Sequence, residues 1–189
     1  MKHLGTVQLE TERLILRTIT RDDASDVYEY ASDDETIEHL TFQKHTSIAM
    51  TYDALDNFFL NRKEKGLLEA TCIELKENHE VIGMCEFVGY DANNQTAEIG
   101  YVLKKKYWGQ GYMVEAVREL IRVGFEQFGL RRIDIGHFVE NKRSQRVIEK
   151  IGFHYDGCLR QQVKDGKGNY HDEKVYSILK SEYESRENK

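Results

Sequence analysis

The chain has no proline, a single tryptophan and three cysteines in 189 residues. It also has no run of about 18 apolar residues, the length a membrane helix needs. Each shortage excludes something. Without proline, Ser/Gly-rich stretches or long blocks of like charge there is no visible linker, and there is no internal repeat, so residues 1–189 are expected to form one domain. Cys72, Cys85 and Cys158 are odd in number and widely spaced, which fits neither a disulfide framework nor a CxxC metal or redox site. No HExxH or paired metal spacing occurs, and no metal is expected. The first residues, "MKHLGTVQLETERLILR", contain no apolar run of signal-peptide length, so a cytoplasmic protein is expected, without membrane partners. A net charge of -6 lacks the basic footprint of a nucleic-acid binder.

What is present is a large apolar fraction, 40 %, enough to bury one core. Charge is unevenly placed. Acid collects early, in "RDDASD" and "SDDETIE", and base late, in "LKKKYW" and "ENKRSQR". Two readings follow: solvated surface, or an acidic mouth for a cationic substrate beside a basic mouth for a phosphorylated ligand.

Patterning gives alternating elements. Arg13 to Ile19 reads as a strand, and Thr20 with Asp23 three residues on resembles a capping box opening a helix to about Ala31. A second helix is expected from about Ser47 to Lys65, stopped by Gly66. The segments "ATCIELKE", "EVIGMCEFVGY" and "AEIGYVLKK", separated by turn residues, form an antiparallel meander. Val114, Val117, Leu120, Ile121, Phe125 and Phe128 recur at threes and fours, an amphipathic helix ended by Gly129. A strand "RRIDIGHFV", a short helix "NKRSQRVIEKIG" and two strands around the turn "KDGKGN" complete the chain. Strand, helix, strand needs a parallel crossover, so the fold class is α/β with a mixed, mostly antiparallel sheet and flanking helices.

Between the meander and the long helix stands "YWGQGYMVEA", Tyr107 to Ala116. Glycine costs roughly 0.5–1 kcal/mol in ordered structure relative to alanine, so paired glycines mark a sharp turn or a close approach. At a helix start, amides around Gln110 and Gly111 suit a phosphate. A Walker loop and a dinucleotide fingerprint both fail, since no GK[ST] follows and Val114 stands where a third glycine would be.

Taken with "AEIGYVL", "NKRSQRVIEKIGF" and the "DG" after "GFHY", this loop resembles the GNAT superfamily of acyl-CoA-dependent N-acyltransferases, and within it the branch of ribosomal-protein N-terminal acetyltransferases. The resemblance implies a splayed, cofactor-binding sheet edge at Tyr101, Val102, Leu103 and Lys104, with main-chain groups pairing to the arm of acetyl-CoA and an amide near Val102 or Leu103 for the thioester oxyanion. It implies a pyrophosphate loop of Trp108, Gly109, Gln110, Gly111, Tyr112 and Met113, where Met113 is larger than the pattern's last residue and would crowd the phosphates. Asn141 would contact the arm. Lys104 to Lys106, Arg143, Arg146 and Lys150 are available for the ribose phosphate.

The sequence departs from the pattern where relatives carry a tyrosine acid; Ile148 stands there. Ser144 matches a serine suggested to serve instead. Glu98, and after it Glu86, are the candidate bases for the acceptor amine. An acid that some relatives carry after "GF" is here Val163. A cysteine nucleophile lacks a Cys/His signature, so direct attack by the amine is expected. His137 and His154 are within reach of the cleft only as lone histidines. The expected acceptor is a protein N-terminus, or else a small amine; a non-catalytic acyl-CoA-binding module is the alternative class, and a monomer or homodimer is expected.

Overall fold

The computed structural model describes residues 8–62, 68 and 70–187. Strand β1 is Leu9–Glu10 and β2 is Leu14–Thr18. A capping box between Thr20 and Asp23 then opens a single tight turn leading into α1, Ala24–Ala31, as the sequence predicts. Helix α2, Asp34–Ile37, is not legible beforehand; Asp33 caps it by accepting from the Thr36 amide. Helix α3, Ile48–Ala54, starts at a Ser47 cap and continues as one wide turn, Leu55–Phe59. Leu60 to Arg62 form a turn where the helix is expected to continue, and the rest of that expectation, to Lys65 with the stop at Gly66, lies outside the described residues.

The meander is β3 (Thr71–Leu75), β4 (Val81–Asp91) and β5 (Thr96–Leu103). Helix α4, Tyr112–Glu126, crosses to β6, Arg132–Phe138, which pairs parallel with β5. Helix α5 is Lys142–Ile151, β7 and β8 are His154–Lys164 and Tyr170–Leu179, and α6 is Lys180–Glu187. Among the described residues eight strands run in the order β1-β2-β3-β4-β5-β6-β8-β7, with β5 and β6 paired parallel. Asp165 makes the last hairpin by accepting from the amides of Lys167 and Asn169.

Two cores lie on opposite faces of this sheet. On one, α4 buries Val117, Leu120, Ile121 and Phe125 against Ile99, Ile133 and Ile135, and α5 adds Ile148 and Ile151. On the other, α1 and α3 cover Val81 and Met84, with Val102 at the margin. Alternation along β5 therefore points Tyr101 toward α4 and α5 and Val102 toward α1.

One irregularity shapes the middle of the sheet. Pairing of β4 with β5 shifts between Phe87 and Gly89, leaving Val88 as an extra residue packed over Gly100. A bulge bends its strand pair and increases the local twist. Just there the parallel pairing stops: Thr96 to Ile99 match Arg132 to Ile135, and beyond them β5 and β6 diverge.

Candidate functional site

The divergence opens a cleft of about 570 Å³. Its walls are the end of β5 (Tyr101, Val102, Leu103), the loop and first turn of α4 (Trp108, Gly109, Gly111 to Val114) and the α5 residues Arg143, Ser144, Arg146, Val147 and Lys150, with Asn141 at the α5 cap. A third wall comes from Thr36, His39 and Leu40, in α2 and the residues after it. From Gly100 to Leu103, strand β5 pairs with a strand only on its β4 side among the described residues, so its other edge, apart from the Leu103 carbonyl that Trp108 occupies, offers main-chain groups to a ligand.

The glycine loop answers the question its sequence raises. Gly109 and Gly111 have φ of 76° and 86°, the left-handed region that costs other residues roughly 1–2 kcal/mol, and Gly111 is the residue that starts α4. The turn lets the first amides of a 15-residue helix, which lack intrahelical acceptors, face the cleft. The loop is pinned from the residue before β2: the Arg13 guanidinium donates to the Gln110 carbonyl, pairs with Glu115 at 2.7 Å and lies over the Tyr112 ring. Thr11 also donates to Glu115. Nothing in the sequence links positions about a hundred residues apart, so Arg13 and Glu115 go unnoticed there. Trp108 donates from Nε1 to the Leu103 carbonyl and carries the Arg143 guanidinium 4.2 Å above its ring. Met113 turns its side chain into the core, 4 % exposed, and does not crowd the loop as its size suggests. Gln110 folds back onto the Lys106 carbonyl and does not border the cleft.

The lysines require a correction. Lys104, expected at the cofactor, is 2 % exposed, and its ammonium donates to Asp26, Glu29 and Glu80 at 2.7, 2.7 and 2.8 Å. Lys106 pairs with Glu29 and Glu80, and Lys105 with Glu35. Asp26, Glu29 and Glu35 from the early acid, with Glu80, thus neutralise the lysines of the "LKKKYW" stretch, which takes that stretch out of a basic mouth. Arg143, Arg146 and Lys150 remain at the cleft for a phosphate.

Asn141 caps α5 by accepting from the Ser144 amide at 3.0 Å. Ser144 is buried, and its hydroxyl lies 2.7 Å from the Tyr101 hydroxyl. Burial pushes the Tyr101 phenol well above its ordinary range, keeping it a proton donor. A tyrosine absent from α5, where Ile148 is fully buried in the core, therefore reaches the same cleft from β5.

The candidate bases do not border the cleft. Glu86 is buried and ion-paired with Arg62; burial raises its carboxyl while the guanidinium opposes. Glu98 is exposed on the same sheet face as Glu86, the face that α1 covers, its carboxyl raised by desolvation and then by Asp134. Val163 lies in the outer hairpin, opposite His171. His137 is buried and bound to the Phe138 carbonyl and Tyr176, and His154 is exposed. Cys72 is pushed up to about 12 by burial, Cys85 higher still, and no cysteine lines the cleft among the described residues.

A family model for the acetyltransferase (GNAT) domain matches residues 13–154. The chain belongs to the GNAT acetyltransferase family. Among similar sequences, the uncharacterized N-acetyltransferase p20 of Bacillus licheniformis is 35 % identical over 175 residues, covering 93 % of this chain and 97 % of that protein. The ribosomal-protein-serine acetyltransferase of Escherichia coli is 39 % identical over 82 residues, 43 % of this chain and 46 % of that one. A solved GNAT acetyltransferase from Bacillus anthracis superposes with a TM-score of 0.79 at 28 % identity, covering 93 % of this chain and 99 % of the other. The GNAT protein described here is accordingly an acetyl-CoA-dependent N-acetyltransferase, which decides between an enzyme and a silent binding module. Among the described residues, no helix of this acetyltransferase is long and apolar enough to cross a membrane. The residues present suit the cosubstrate: a free strand edge for amide groups, a left-handed glycine turn for a pyrophosphate and three cations for a further phosphate.

Proposed function

We propose that this enzyme acetylates α-amines, first among them protein N-termini, by direct attack of the amine on the thioester. The observation that carries the reading is that no Asp or Glu borders the cleft among the described residues. An α-amine of pKa roughly 7.7–8.0 is about a tenth neutral at pH 7, whereas a lysine-type amine near about 10.4 is neutral to well below about 0.1 %. A site without a carboxylate suits the first and fails the second. The name of the Escherichia coli relative supports the same acceptor class.

In this reading the β5 edge holds the arm of acetyl-CoA, an amide near Val102 or Leu103 faces the carbonyl oxygen, and the Gly109–Gly111 turn with the Tyr112 and Met113 amides takes the pyrophosphate. Asn141 holds Ser144 in place. The Ser144 hydroxyl, backed by Tyr101, donates toward the departing sulfur. A thiol has a reference pKa near about 8.5, so its thiolate needs little help.

Free-thiol release with a serine-terminated peptide, compared with spermidine and an aminoglycoside, tests the acceptor class; turnover on the polyamine alone contradicts it. Tyr101→Phe and Ser144→Ala should each lower kcat about 10-fold, less than the usual general-acid contribution of about 10²-fold or more, with acetyl-CoA affinity nearly unchanged. The double variant should be no slower than the worse single one, because the two hydroxyls act as one unit. Additive losses would place Tyr101 outside the relay.

A further inference from the structure

The reaction removes a proton from the amine, and neither expected carboxylate reaches the cleft to take it. The third wall offers another group. Strand alternation puts Phe138 on the sheet face away from α4 and α5, since Ile133 and Ile135, an odd number of positions before it on β6, belong to the α4 core. His39 packs edge-on against the Phe138 ring, with centroids 6.2 Å apart at 78°, and borders the cleft. The cleft therefore passes through the gap between β5 and β6, and His39 stands at its far mouth. An amine approaching from that face meets His39 first.

We propose that His39 is the proton acceptor of the acetyl transfer. The proposal rests on the acetyltransferase reading of the cleft and assigns a role that no motif in the sequence signals. In the step, the amine nitrogen bonds to the thioester carbonyl carbon and the carbon–sulfur bond breaks, the sulfur leaving with its electron pair. The proton lost by nitrogen passes to the imidazole and from there to solvent.

The ring's surroundings fit the task. Its side chain is 17 % exposed, enough to pass a proton outward, and Nε2 lies 3.6 Å from a Glu38 carboxylate oxygen. Phe138 is itself stacked on His171, centroids 4.7 Å apart at 4°, so the platform beneath His39 is fixed by β8. The charged and titratable groups facing His39 are Glu38 beside it, Arg143 of α5, Glu140 before α5 and His171 of β8. Burial is the largest influence and lowers its pKa; Glu38 and Glu140 act against that, Arg143 and His171 with it. At pH 7 the ring is mainly neutral, with a lone pair free.

The test uses the full chain, acetyl-CoA and a serine-terminated peptide as the amine, from about pH 5 to about pH 9, which spans the imidazole and α-amine reference values. In the parent protein kcat/KM should fall as pH drops through the His39 pKa, below the ordinary histidine value. His39→Gln should bind acetyl-CoA as tightly, read from Trp108 fluorescence, while losing about 10²-fold in kcat/KM near pH 7. The part of the acid limb that belongs to His39 should be absent, leaving only the fall set by protonation of the amine itself, and added imidazole should restore part of the rate of His39→Ala. Independently of turnover, the His39 ring signals in a ¹H–¹⁵N spectrum should shift when acetyl-CoA binds. A His39→Gln profile parallel to the parent's, with no imidazole rescue, overturns the proposal and leaves a packing role. Ring signals indifferent to bound acetyl-CoA overturn it too. Failure of both proteins to bind acetyl-CoA removes the cleft assignment itself, a result distinct from either.

Discussion

Lys104→Met should lower the melting temperature on the order of 10 °C. Lys104 is the largest fully buried charged side chain among the described residues, and it is surrounded by Asp26, Glu29 and Glu80. Methionine keeps the stem's volume and removes the charge. Three carboxylates are then left facing one another, with Lys106 pairing only Glu29 and Glu80. Breaking a buried pair by removing one partner costs about 3–5 kcal/mol, and at this chain length each kcal/mol shifts the midpoint by about 2–4 °C. Acid supplies a second signature. The cations hold Glu80 down to about 2 and lower Glu29 as well, despite the opposing pull of desolvation. Folded pKa values below the unfolded ones give stability that is fully present above about pH 4.5 and is lost as pH falls through the folded values. The parent should therefore weaken between about pH 4.5 and about pH 2, and the gap to Lys104→Met should narrow over that range. Calorimetric scans of both proteins measure this; a difference under about 1 kcal/mol at neutral pH would mean that the ammonium is not the hub of the cluster.

Gly111→Glu should abolish the thermal stabilisation given by acetyl-CoA. At about 100 times its Kd a ligand adds about 2.7 kcal/mol, which for a chain of this size is about 5–10 °C. Two effects combine against binding in the variant. A side chain at φ of 86° strains the turn that starts α4, and a carboxylate there repels the pyrophosphate from the helix amides. Gly111→Ala separates them, since it carries the strain without the charge and should keep part of the shift. An undiminished shift in Gly111→Glu would place the cosubstrate elsewhere.

The sequence made the fold legible where local chemistry and tertiary demand coincide. Thr20 and Asp23 cap as their spacing implies, Ser47 opens α3, and the apolar stripe from Val114 to Phe125 is the buried face of α4. The parallel crossover follows from strand, helix, strand alone. Short elements held by distant contacts were not legible: α2 has only four residues, and β1, Leu9–Glu10, exists through pairing with β2.

The site divides in the same way. Gly111, Asn141 and Ser144 announce themselves through local geometry, a left-handed helix start and a helix cap. The opening itself does not, because it depends on an extra residue, Val88, in a strand two positions from Gly100's partner. Lys104 to Lys106 look like phosphate ligands until folding places Asp26, Glu29 and Glu35 against them. His39 stands in an acidic stretch with no motif, and only the parting of β5 from β6 gives it a cleft to face.

The measurement that bears most directly on this account is hydrogen–deuterium exchange of the full chain with and without acetyl-CoA. The free edge of β5 and the amides at the start of α4 are the groups assigned to the cosubstrate, so exchange should slow in peptides spanning Gly100 to Leu103 and Gly109 to Val114 and stay unchanged in the β7–β8 hairpin. Unaltered exchange at the β5 edge when acetyl-CoA is bound, or protection confined to another part of the sheet, would contradict it.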